Sequence, residues 1–97
     1  MIELRQTQIF QRWLNGLKNR KDAARIVDRL LRLERGNFGN HKGPGSSLEE
    51  LRFSFGPGYR VYFTRKGDVV IILLAGGTKR RQESDFERAR VLMENVE

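Results

Sequence analysis

Basic side chains are the residues here whose types and spacing point to chemistry. Arg60 follows Gly58-Tyr59 in an aromatic run, and Lys79, Arg80 and Arg81 come just after the glycine pair Gly76-Gly77. Arg52, Ser54 and Tyr62 alternate with apolar residues on either side of Arg60, so strand pairing would sort them onto its face. The chain holds 19 Lys and Arg against 12 Asp and Glu, a formal charge of +7. That excess favours a polyanionic partner: nucleic acid, an acidic protein or an anionic membrane surface. His41 is the single histidine and lies with Lys42 in a glycine-rich stretch. Cysteine is absent, which excludes a thiolate nucleophile and a disulfide framework and argues against structural zinc.

These residues need a sheet to hold them. Residues 52–81 read as three strands broken at Gly56-Pro57-Gly58 and at Gly67-Asp68, where glycine supplies turn geometry and proline cannot continue a strand. A three-residue loop at the first break sets Phe55 against Tyr59, Phe53 against Val61 and Leu51 against Phe63. Arg52 then stands opposite Tyr62, and Ser54 opposite Arg60. One face is apolar and aromatic; the other collects two arginines and a tyrosine, and left uncovered it is a solvated outer face. Pairing about Gly67-Asp68 puts Arg60 opposite Ala75, so Lys79 and Arg80 begin a few residues beyond Arg60. The basic signals converge on one end of the sheet.

The remaining segments supply the packing. Ile2 to Arg5 alternates as a short strand does. Thr7 caps a helix whose stripe is Ile9, Phe10, Trp13, Leu14 and Leu17, with Trp13 read as core. Asn19 caps a second helix with Ala23, Ile26, Val27, Leu30 and Leu31 facing inward, Lys21, Arg25, Asp28, Arg29 and Arg32 facing water, and Gly36 at its end. Asn37 to Ser47 reads as a loop. A last helix runs from about Arg80 to Asn95 and buries Phe86, Ala89, Leu92, Met93 and Val96. Its basic first turn opposes the helix dipole. The order is β-α-α-β-β-β-α: a small α+β domain over residues 1–97, with a helical hairpin on a mostly antiparallel four-stranded sheet and a C-terminal helix. The longest apolar run, Val69 to Ala75, is too short to span a bilayer, and the first residues lack the apolar core of a signal peptide. A soluble, cytoplasmic protein is expected.

GNFG (36–39), LRFSFGPGYRVYF (51–63) and LLAGGTKRRQESDFERA (73–89) together resemble the RelE/ParE superfamily of bacterial toxins, and FQRWLNGLKNR (10–20) fits its HigB-like branch of addiction-module killer proteins. The resemblance covers nearly the whole chain. It implies a RelE-like toxin of a type II toxin–antitoxin system, monomeric on its own and neutralised by a cognate antitoxin, often of helix-turn-helix type. Many such toxins enter the ribosome and cleave mRNA without metal or cofactor: the RNA 2′-OH attacks the adjacent phosphate. Carried onto this sequence, Arg60 matches the family arginine and clamps phosphate, Lys79 matches the lysine after the glycine pair, and Arg80 is a second clamp. His41, with an ordinary pKa near neutrality, is the general-base candidate. Lys42, Arg52, Tyr62 and Arg81 are expected to bind RNA, Tyr62 by stacking on a base or by a hydrogen bond to phosphate. Two departures stand out: only Lys42 is available where some ribosome-dependent toxins place a pair of lysines before the central hairpin, and the last helix lacks a tyrosine. A ParE-like gyrase poison and a non-catalytic basic module that binds nucleic acid are the alternatives.

Overall fold

The computed structural model describes residues 2–39, 41–42, 48–67 and 69–96. Strand β1 (Glu3–Gln6) leads into helix α1 (Gln8–Asn15) and helix α2 (Arg20–Glu34). Four strands follow: β2 (His41–Lys42), β3 (Glu49–Arg52), β4 (Tyr59–Lys66) and β5 (Val70–Thr78). A 3₁₀ turn (Lys79–Arg81) then enters helix α3 (Gln82–Glu94). Both helix starts form where their capping residues lie. The Thr7 hydroxyl accepts the Phe10 amide at 3.0 Å, and the Asn19 side chain accepts the Asp22 amide at 3.0 Å. Each satisfies a backbone donor that the helix itself leaves open.

The strands form one mixed sheet in the order β1-β5-β4-β3-β2, antiparallel except for the parallel β1–β5 pair. The expected small α+β architecture is therefore present, with one strand more than expected. His41–Lys42, which the sequence pattern places in a loop, instead pairs with β3, His41 opposite Leu51 and Lys42 opposite Glu50.

Registers differ from the expected ones by two residues. Leu51 pairs with Val61 and Arg52 with Arg60, because the connection spans more than Gly56-Pro57-Gly58. The Phe53 amide bonds the Tyr59 carbonyl at 3.1 Å, and inside that closure the Gly58 amide bonds the Phe55 carbonyl at 3.2 Å. Gly56 and Gly58 take φ of +57° and +75°, which only glycine adopts cheaply. Arg60 lies opposite Gly77 rather than Ala75, and a bulge at Tyr62/Phe63 shifts the register along β4–β5. Between the turn and the bulge the β4–β5 register differs by one residue; at Arg52, Arg60 and Tyr62 the shift of two keeps the side chains on their expected face and changes only their partners.

The Arg/Tyr face is not an outer face. Helices α1 and α2 cover one side of the sheet, burying Phe10, Ile26, Leu30 and Leu33 against Leu51, Val61, Phe63 and Leu73. Helix α3 covers the other, packing Ala89, Leu92 and Met93 on Tyr62, Ile72, Leu74 and Ala75. Strand β5 is thus buried on both sides, which accounts for its nearly unbroken apolar run. The inward stripe of α2 is Ala23, Ile26, Leu30 and Leu33, while Val27 and Leu31 are exposed, contrary to expectation. Of the arginines beside that stripe, Arg25 is exposed as expected but rests on a ring, and Arg29 is half-buried. Arg25 lies over the Phe55 ring at 3.7 Å and Arg29 over Phe53 at 4.7 Å, because α2 crosses the hairpin end where those rings emerge.

The glycine pair has a packing reason. A Cβ on Gly76 would stand 2.2 Å from the Trp13 ring, and one on Gly77 would stand 2.0 Å from an Asp85 carboxylate oxygen. One glycine admits α1 and the next admits α3 to opposite faces of β5.

Candidate functional site

Strand β4 sets Arg60 at the hairpin end of the α3-covered face. Its neighbour across β3 is Arg52. Two arginines side by side repel, and a carboxylate that the register brings to the same face offsets this. Glu50, with 5% of its side chain exposed, lies 3.2 Å from Arg52 Nη2 and 3.9 Å from Arg60 Nε. Gln82, on the first turn of α3, donates to the same carboxylate at 3.0 Å. Tyr62 lies opposite Glu50, and its hydroxyl approaches the Gln82 carbonyl at 3.4 Å. Burial, then the Glu50 and Asp85 carboxylates, push the Tyr62 phenol well above its ordinary pKa, with Arg60 pulling the other way. It stays neutral.

Arg60 itself is nearly buried, and its Nε has no hydrogen-bond partner among the described residues. Its side chain lines an open groove together with Arg52, Ser54, Gly58 and Lys79. Lys79 is held there by its backbone: its amide donates to the Gly58 carbonyl at 2.7 Å. A Cβ on Gly58 would lie 3.1 Å from Lys79 Cβ, so the glycine lets the turn and the hairpin loop close on each other. From the α2 side, Arg29 Nη1 donates to the Arg52 carbonyl at 2.6 Å. The groove is therefore fixed by α2, by α3 and by the 3₁₀ turn. It presents the nearly buried Arg60 guanidinium beside the exposed Lys79, an arrangement suited to an anion with several oxygens.

The structure thus brings together Arg60, Lys79 and Arg52. Arg80 and Arg81 are exposed on the 3₁₀ turn and line an adjoining depression with Lys79, Gln82, Glu83 and Ser84. Tyr62 is fully buried beneath α3, so the base-stacking role expected of it does not fit its position. The backbone of His41 and Lys42 lies on the edge strand β2; the roles assigned to their side chains lie outside the described residues. Glu50 and Gln82 went unnoticed in the sequence. For Glu50 a signal existed: it precedes Arg52 by two residues in a strand, so the two share a face. Gln82 carried none, since only packing brings α3 against that face.

These elements and this groove define the chain as a RelE-like α+β fold. It matches a solved structure of the E. coli toxin RelE, a double arginine-to-alanine mutant in the free state, with a TM-score of 0.73. The match covers 99% of this chain and 98% of that one at 12% identity, which establishes the fold alone. In sequence, the chain is 40% identical over 95 residues to an uncharacterized protein of Haemophilus influenzae, covering 98% of this chain and 96% of that protein. The chain belongs to the family of that Haemophilus protein. No protein-family model matches it. Among the described residues, no helix is long and apolar enough to cross a membrane.

Proposed function

We propose that this chain is the toxin of a type II toxin–antitoxin system, of the HigB-like branch, and that it cleaves mRNA on the ribosome. The observation that carries this reading is the groove in which Arg60, held by Glu50, stands beside Lys79 and Arg52. A gyrase poison needs no constellation centred on phosphate.

In the proposed reaction the RNA 2′-OH gives up its proton to a base and its oxygen attacks the adjacent phosphorus. The bond to the 5′-oxygen breaks and that oxygen takes up a proton from water, and a 2′,3′-cyclic phosphate and a 5′-OH remain. Negative charge grows on the non-bridging oxygens as the new bond forms. Arg60 meets that charge with a guanidinium already in place, so little reorganisation is needed at the moment of reaction. Lys79 neutralises a second oxygen, and Arg80 and Arg52 hold the flanking backbone. His41 is proposed as the general base. Alignment of the 2′-OH with the leaving oxygen is left to the ribosome, since orientation alone supplies a large part of such rate enhancements. A cognate antitoxin covering the basic groove would neutralise the protein.

The test is brief induction followed by primer extension on cellular mRNA, wild type beside Arg60→Ala. Codon-phased cuts that fall by about 10²–10³ in the variant, the usual effect of removing one preorganised donor, are the expected result. Growth arrest with intact mRNA and broken DNA would instead favour the gyrase poison.

A further inference from the structure

The groove at Arg60 does not end at the hairpin. Arg52, Phe53 and Ser54, which line it, also form one wall of a second groove whose other wall is α2, with Arg25, Asp28, Arg29 and Arg32. At its other end, Lys79 is shared with the depression beside Arg80 and Arg81. The three depressions make one basic track from α2, across the sheet end, to the start of α3. The acids lining it among the described residues are Asp28 and Glu83, and Asp28 is already taken by Arg32 at 3.0 Å.

The α2 part of the track has a feature that simple charge does not require. The Arg25 guanidinium lies over the half-buried Phe55 ring at 3.7 Å and has no acidic partner among the described residues. The ring fixes one side of the guanidinium and leaves the opposite side towards solvent. Arginine planes and aromatic rings are the surfaces on which unpaired bases stack, whereas a duplex keeps its bases stacked internally. Arg25 and Arg32 are about 10 Å apart along the helix axis at 1.5 Å per residue, far enough to meet different parts of one strand.

We infer that the α2 groove is a second RNA-binding subsite, which holds single-stranded RNA flanking the phosphate at Arg60. Arg25 is its stacking platform and, through its in-plane N–H groups, also contacts one backbone phosphate; Arg32 contacts another. This inference rests on the nuclease reading above and adds an extended footprint to it. Short RNA reaches only the Arg60 groove; longer RNA fills both.

The experiment measures binding of fluorescent, unstructured trinucleotide and nonanucleotide RNAs to the full chain by anisotropy across a salt series. The proteins compared are wild type, Arg25→Lys and Arg25→Ala/Arg32→Ala. The double variant is expected to bind the nonanucleotide about tenfold more weakly, from loss of one stacked base and two charges. Its salt slope becomes shallower by about 1.4, at roughly 0.7 per single-strand phosphate contact, while trinucleotide affinity stays unchanged. Arg25→Lys restores the slope contribution of Arg25 but not the affinity, which separates stacking from charge. Cleavage of cellular mRNA by wild type, with unchanged nonanucleotide affinity in the double variant, overturns the subsite alone. Equal affinity for duplex and single strand, or for an acidic peptide, also overturns it. Wild type that neither binds these RNAs nor cuts mRNA in cells overturns the nuclease reading and the subsite together.

Discussion

Replacing Glu50 by glutamine removes one charge from the centre of the site and almost nothing of its shape. The carboxylate is 5% exposed and faces Arg52 at 3.2 Å, Arg60 at 3.9 Å and Gln82 at 3.0 Å. An amide oxygen can still accept from Gln82 or Arg52, but it cannot balance the Arg60 guanidinium beneath α3. Removing one partner of a buried ion pair costs about 3–5 kcal/mol, because the other charge is left uncompensated. Two features place Glu50→Gln at the low end. The Arg60 Nε contact is beyond hydrogen-bond reach, and Arg52 is about one-third exposed, so water screens its share. A loss of about 3 kcal/mol is expected, which in a domain of this size lowers Tm by roughly 10–20 °C. The assay is urea denaturation of wild type, Glu50→Gln, Arg60→Met and the double variant. Removing both charges from a buried pair is far less costly than removing one, so the double variant should recover at least about 1 kcal/mol of the summed losses. A Glu50→Gln shift below about 2 °C, or additive losses, would falsify the claim that Glu50 holds Arg60.

Gly76→Ala drives a methyl group into the Trp13 ring, 2.2 Å away, and is expected to cost about 1–3 kcal/mol or more. Trp13 is the sole tryptophan, so its emission should shift to the red as the indole is displaced; unchanged emission and unchanged stability would refute the contact. Both tyrosines have raised pKa values, each chiefly through burial, with Asp22 adding at Tyr59 and Glu50 and Asp85 adding at Tyr62. Their stabilising effect is therefore whole below the unfolded value of about 10 and is lost as pH rises from there towards the folded values. Ultraviolet titration should show little phenolate at a pH of about 10 and a cooperative rise on unfolding; about a quarter of the full signal there with the fold intact would show that one ring is not held, and about half that neither is. Thr7→Ala should cost about 1–2 kcal/mol and Asn19→Ala about 1 kcal/mol by urea midpoint. The difference is expected because the Thr7 hydroxyl also donates to the Leu74 carbonyl of β5 at 2.7 Å, and equal losses would argue against that tie.

Several features of this protein were legible in the order of its residues, because their causes act within a few positions. Thr7 and Asn19 cap helices through amides three residues on, and glycines at 56, 58 and 67 break strands through their own φ angles. The apolar run of β5 marked a strand, although not that helices cover both of its sides. The sorting of Arg52, Arg60 and Tyr62 to one face survived a two-residue error in register, since side-chain direction along a strand repeats every second residue. Partners did not survive that error. Only the true register sets Arg60 beside Arg52 and Tyr62 beside Glu50, and only the packing of α3 buries Tyr62 and turns Gln82 onto the Glu50 carboxylate. The crossing of α2 over the hairpin end likewise set Arg25, still exposed, and the half-buried Arg29 over the rings of Phe55 and Phe53. Periodicity records which way a residue points; what covers it depends on segments tens of residues away, and their meeting is decided by how whole faces fit together.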